Sequence, residues 1–248
     1  MNSPHIIAHR GDSRNAPENT MAAFRSAIKC GADGVEFDVQ LAADGVPVVV
    51  HDYDLQRTAG RREKIGELTS KQLAQVDVGK WFGEKFAGET VPTLLSILEM
   101  YSNSGGPIFI ELKCESGDYS DLVTNVCDLI RESPLMPRVI VKSFRLAAIG
   151  EVRFRLPDVQ TAALFEPSIM TILRRRQYII AMAREFGAHQ ISLHTSLATA
   201  KLAELAKQSG MPTTVWTADS SRWIARCRER NIDNLITNDP GKMLAARR

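Results

Sequence analysis

The sequence predicts an α/β chain folded as a (β/α)8 TIM barrel, with a β-hairpin return strand and a small insertion after it. Three observations carry that expectation. Strand-like and helix-like patterns alternate almost throughout the 248 residues, which argues for a parallel sheet with helical crossovers. The link at 42–45 contains Asp44-Gly45 and is far too short for a crossover. Parallel neighbours need a dozen or more connecting residues, whereas an Asp-Gly pair in so short a link signals an antiparallel hairpin. One of the nine strand patterns therefore folds back, and the remaining eight suit a closed barrel of about 250 residues.

The elements follow in order. Residues 5–9 form a short apolar run, and 19–30 an amphipathic stretch that stops at Gly31. Alternating patterns occupy 34–41 and, after the turn, 46–51. Further strands are predicted at 108–113, 139–143, 159–164, 190–194, 213–217 and 234–237, with helical patterns over 93–101, 120–131, 168–186, 198–208 and 221–230. The alternation breaks over 52–90, a stretch rich in Gly, Lys, Arg and Glu that holds Trp81 and Phe82. Thr69-Ser70-Lys71-Gln72 opens one helix there, by the capping-box pattern. The segment reads as a cap on the barrel, too short and too polar to hold a core of its own, so residues 1–248 are expected to form a single barrel domain. Arg174-Arg175-Arg176 lies within the 168–186 pattern and reads as a solvated helix face, or alternatively as a phosphate or membrane contact.

Composition removes whole classes. Lys and Arg number 31 and Asp and Glu 29, leaving +2, a balance that offers no global attraction to nucleic acid or an acidic membrane. At 44% hydrophobic the chain is too apolar for a disordered one, and no apolar run approaches the roughly 20 residues of a membrane helix. The four cysteines are scattered without a CxxC, and the first eight residues lack a basic n-region and an apolar h-region. Reduced thiols and a cytoplasmic location are expected.

The chemistry collects at strand ends. Along 34–40, side chains alternate, so Val35, Phe37 and Val39 face the helices while Glu36, Asp38 and Gln40 point inward. Two carboxylates side by side in a barrel interior require a positive partner, and a hard divalent cation answers that need, although an exposed strand edge would also carry such residues. Glu111 and Lys113 share a face in the same way; they supply a third carboxylate and a cation for an anionic substrate oxygen, or else a plain salt bridge. His9 ends the first strand, at the mouth where barrel enzymes place their sites. With a two-residue turn at Asp44-Gly45, His51 falls opposite position 38 and on its face; a one-residue bulge would still leave it near the acidic pair. His5, His189 and His194 keep a structural or substrate-contact reading. Carboxylate ligands favour Mg²⁺ or Ca²⁺ over zinc, Arg10 suits a phosphate, and two imidazoles can serve as acid and base. Together these groups are what phosphoester cleavage requires.

Ala8-His9-Arg10-Gly11, Pro17-Glu18-Asn19-Thr20, Glu36-Phe37-Asp38-Val39, His51-Asp52, Pro92-Thr93-Leu94, Ile110-Glu111-Leu112-Lys113, Lys142-Ser143-Phe144 and Val215-Trp216-Thr217 occur in that order. In combination they resemble the glycerophosphodiester phosphodiesterase family, over about 6–241. The resemblance implies a phospholipase C-like barrel with an insertion after the second histidine. It further implies that Glu36, Asp38 and Glu111 bind one divalent cation and that His9 and His51 form the acid/base pair. Arg10 and Lys113 then contact phosphate, Glu18 supports the site, and Trp216 packs against the glycerol moiety. For Lys142 a site role and a structural salt bridge stay equally open. Asn238 stands where the family commonly has Asp and is expected to lie behind the residues that touch cation or substrate. The implied reaction releases sn-glycerol 3-phosphate and an alcohol from a small-molecule glycerophosphodiester. Lysophospholipids are an alternative substrate, for which Trp81, Phe82 and Phe86 could line an apolar groove. No nucleic-acid partner and no stable membrane insertion are expected, and the oligomeric state, a homodimer included, is left open. A glycoside hydrolase would place its paired carboxylates on different strands, an amidohydrolase would show His-x-His on the first strand, and a non-catalytic barrel would lack some of these residues.

Overall fold

The computed structural model describes residues 3–114, 119–171 and 177–248. Its strands are β1 (His5–His9), β2 (Gly34–Leu41), β3 (Pro47–Val49), β4 (Ile108–Leu112), β5 (Val139–Ser143), β6 (Gln160–Phe165), β7 (Gln190–His194), β8 (Thr213–Trp216) and β9 (Asn234–Thr237). Around them lie α1 (Met21–Cys30), α2 (Gln56–Ala59), α3 (Ser70–Leu73), α4 (Leu94–Met100), α5 (Ser120–Glu132), α6 (Leu146–Arg155), α7 (Gln177–Glu185), α8 (Ala200–Gln208), α9 (Arg222–Arg230) and α10 (Pro240–Arg247). Eight strands pair in parallel in the order β1-β9-β8-β7-β6-β5-β4-β2, and the β1–β2 pairing closes the ring. β3 is the antiparallel return strand on β2. Among the described residues, no helix is long and apolar enough to cross a membrane.

The period-2 pattern of the strands sorts the side chains. Val35, Phe37 and Val39 of β2 are buried against the helical layer together with Phe24, Leu94 and Ile97. The opposite face fills the barrel, where Ile7, Phe109, Ile140, Ala162 and Ile236 form an apolar floor beneath the mouth. Helix α1 begins where Thr20 Oγ1 accepts from the Ala23 backbone N–H and ends at Gly31 in the left-handed region, the cap pair its sequence suggests. Helix α6 carries no clear amphipathic signature: Gly150 interrupts it and Phe154 is 88% exposed. The 168–186 pattern resolves into a 3₁₀ turn at Pro167–Thr171 and helix α7; Arg174-Arg175-Arg176 lies outside the described residues.

One expectation is corrected. In the hairpin, Leu41 pairs with Pro47 and Val39 with Val49, so Asp38 stands opposite Val50, whose N–H donates to the Asp38 carbonyl. The connection has one more residue than a two-residue turn, with Gly45 at φ +76°, the left-handed position of a three-residue hairpin loop. The 52–90 insertion builds its core jointly with the hairpin. Leu55, Ile65, Leu73, Val76 and Val78 bury against Val48 and Val50 of the hairpin, so the hairpin lends the insertion the apolar face it lacks alone.

Candidate active site

Register places the reactive side chains at one level around the mouth. His9 stands beside Glu36, Asp38 beside Glu111, and Glu111 beside Lys142. One oxygen from each of Glu36, Asp38 and Glu111 lies within 4.8 Å of the others, and all three residues are buried. Arg10 Nε lies 3.1 Å from Asp38 Oδ2, Lys113 Nζ 3.2 Å from Glu111 Oε1 and 3.8 Å from Asp38 Oδ1, and Lys142 Nζ 2.6 Å from Glu36 Oε1. Burial alone would raise the Asp38 carboxyl, but Arg10, Lys113, His51 and a hydrogen bond from Asn19 outweigh it and hold it at about 2. Asp38 is thus an anion at any working pH.

The donor set fits a hard divalent cation. It is made of oxygens only and is desolvated, and Asn19 Oδ1, beside Asp38, is buried without a hydrogen-bond partner.

Both histidines are held by their Nδ1 atoms, through different partners. His51 Nδ1 lies 2.7 Å from Asp52 Oδ1, and Gln40 Nε2 fixes the strand end by donating to the carbonyls of Val50, His51 and Asp52. His9 Nδ1 lies 2.6 Å from Asn238 Oδ1, and its Nε2 is 3.8 Å from Glu36 Oε2. Asn238 therefore reaches the site through His9, behind the residues that would meet cation or substrate. Its amide is oriented by Asp219, which accepts from the Asn238 backbone N–H and from Nδ2, each at 2.8 Å. With Nδ2 committed to a carboxylate, Oδ1 is the atom that faces His9. His9 Nδ1 then carries a proton, and its Nε2 faces Glu36.

The remaining predicted residues also reach the mouth. Glu18 accepts from Arg10 at 2.8 Å and from Arg57 at 2.8 and 2.9 Å; burial raises its carboxyl, and the two guanidiniums bring it below its ordinary value. Arg57 also donates to Asp52 at 2.6 Å, tying the insertion to the His51 partner. Trp216 closes the side opposite the acids, edge-on to Phe144 and His194, with its indole N–H unpartnered. The rings of Trp81, Phe82 and Phe86 pack on one another and Arg57 caps Trp81, so this cluster packs on itself. Sequence reasoning left Asn19, Gln40, Arg57 and Asp219 without roles. Asn19 lies within a motif already noted, Gln40 shares the acidic face of β2, and for the other two no local signal exists.

Eight parallel strands with these groups at their C-terminal ends define a TIM-barrel enzyme. The model of the glycerophosphoryl diester phosphodiesterase family matches residues 9–242. The chain is 33% identical over 239 residues to the glycerophosphodiester phosphodiesterase of Caldanaerobacter subterraneus subsp. tengcongensis, covering 96% of each. It is 28% identical to that of Bacillus altitudinis, covering 98% of this chain and 97% of the other. A phosphodiesterase of Oleispira antarctica, solved with its product sn-glycerol-3-phosphate, superimposes with a TM-score of 0.88 at 26% identity, covering 98% of this chain and 96% of that one. A glycerophosphodiester phosphodiesterase from Agrobacterium tumefaciens gives 0.82 at 26% identity, covering 98% and 99%. The chain belongs to the glycerophosphoryl diester phosphodiesterase family and is a phosphodiesterase of glycerophosphodiesters.

Proposed function

We propose that the enzyme hydrolyses a glycerophosphodiester to sn-glycerol 3-phosphate and a free alcohol, using a divalent cation, Mg²⁺ or Ca²⁺, held by Glu36, Asp38 and Glu111. The observation that carries this reading is the buried carboxylate triad with an Nδ1-anchored histidine on either side. The product bound in the Oleispira antarctica structure supports the choice of product. A cation bound there would supply Lewis-acid polarisation of a phosphoryl oxygen.

The chain's own residues supply the rest. Arg10 and Lys113, half-screened at the mouth, take the anionic phosphoryl oxygens through charge-assisted hydrogen bonds. His9, whose Nδ1 meets a neutral amide, acts through Nε2 as the base toward water or the adjacent glycerol hydroxyl; attack by the hydroxyl gives a cyclic phosphate, which water then opens to glycerol 3-phosphate. His51 has a carboxylate partner that stabilises its imidazolium, so it gives a proton to the departing alcohol oxygen as the P–O bond breaks. Trp216 packs the glycerol carbons against the far wall. Residues 1–248 act as a single barrel domain, with the segment 52–90 joined to its mouth through Arg57. The four cysteines, unpaired in the structure, support a cytoplasmic enzyme.

The test is release of glycerol 3-phosphate from a panel of headgroups, with Mg²⁺ or Ca²⁺ returned after chelation. His9→Ala and His51→Ala should each lower turnover by at least about 10²-fold while metal binding persists. Normal turnover in both variants would overturn the acid/base assignment, and chelator-insensitive activity would overturn the metal.

A further inference from the structure

Three cationic heads touch the three carboxylates, and they stand in different places. The Arg10 and Lys113 side chains keep 18% and 13% of their exposure at the mouth, whereas Lys142 keeps 2%. Lys142 Nζ lies 2.6 Å from Glu36 Oε1 and 3.4 Å from Glu111 Oε2. Strand β5 carries it in register with Glu111 on one side and with Ala162 on the other. The small Ala162 side chain leaves room for the lysine stem inside the barrel. Its head thus lies within ion-pair range of two of the three acids. A buried charge persists only when paired, and here the pairing uses oxygens of the very carboxylates that a hard cation would use.

We propose that Lys142 is a resident counter-cation of the metal site: it competes with the divalent cation for Glu36 and Glu111, and so keeps the metal exchangeable. The inference rests on the metal-binding reading of the triad given above. Three cations against three carboxylates leave the cluster balanced before any metal binds, which lets the acids stay buried side by side. The same balance weakens the pull on an incoming dication. Arg10 and Lys113 can swing toward a phosphate in the mouth; Lys142, walled in by the barrel, has no such exit and remains beside the ion.

The experiment is calorimetric titration of Mg²⁺, Ca²⁺ and Mn²⁺ into the chelator-treated full chain, as wild type, Lys142→Met and Lys142→Arg, with thermal unfolding of each. Lys142→Met should bind metal about tenfold or more tightly, a modest fraction of what a unit charge at this range is worth at an effective dielectric of about 20. Its Tm should fall below wild type in chelator and rise further than wild type's on metal addition. Lys142→Arg should bind within about threefold of wild type. A folded Lys142→Met with unchanged or weaker affinity overturns the inference and leaves the metal site standing. No binding by wild type overturns both. If Lys142→Met folds only with metal present, its affinity is read by competition with a chelator, and Lys142→Gln gives a second reading with the same expected sign.

Discussion

His9 shows how much one partner atom decides. A histidine whose Nδ1 meets an amide oxygen must carry a proton there, whereas one whose Nδ1 meets a carboxylate has a charged partner at the same atom. Asn238 and Asp52 therefore give two chemically identical rings different partners. Asn238→Ala should lower kcat by roughly 10–100-fold, within the range that acid–base catalysis supplies, with little change in KM. The nitrogen chemical shifts of His9 should then show mixed tautomers, and an unchanged kcat would remove Asn238 from the machinery. Asn238→Asp should fare no better, because the new carboxylate would meet Asp219 where Nδ2 now donates at 2.8 Å. The sequence marks Asn238 as a departure from its family, yet its contact with His9 spans 229 positions and is invisible without the closed ring. Glu36, Asp38 and Glu111 were legible because a strand's alternation is local.

At the scale of elements, the segment that presents His9 and Arg10 is shaped by its backbone. Arg10 and Gly11 both have positive φ, +56° and +80°. A β-carbon on Gly11 would sit 2.6 Å from the backbone carbon of Ala23 in α1. Gly11→Ala should thus cost about 2–4 kcal/mol, from left-handed strain and overpacking together, read as a lowered urea midpoint. A loss below about 0.5 kcal/mol would mean that α1 gives way freely. The hairpin shows the limit of pattern reading. Its existence follows from Asp44-Gly45, but two- and three-residue loops share those residues, and only the ladder reveals that Val50 rather than His51 faces Asp38. Helix α6 was missed because Gly150 and an outward Phe154 erase its stripe, and its place in the fold is secured by the strands it joins.

Across the whole molecule, the net charge of +2 conceals strong local fields. Burial raises the Asp38, Glu18 and Asp52 carboxyls, and their cationic partners reverse that, leaving all three below their ordinary values. Groups depressed by folding contribute stability that is complete above their unfolded pKa and is lost as pH falls through the folded one. For Asp38 the window runs from about pH 4 down to about pH 2. Metal-free protein should lose stability across it, and Asp38→Asn should show a shallower slope in urea midpoints measured at each pH; equal slopes would remove Asp38 as a source.

The ring is sealed by β1 lying against β9, and Arg247 of α10 reaches back to the Pro4 carbonyl and to Asp33. Birth order on the ribosome then matters. Chains emerge N-terminus first, so His9 is made long before its partner Asn238. Until the ninth strand arrives, the first has an open edge and the imidazole has no fixed tautomer. A nascent chain thus carries its three acids and both histidines before one of those histidines has the residue that fixes it.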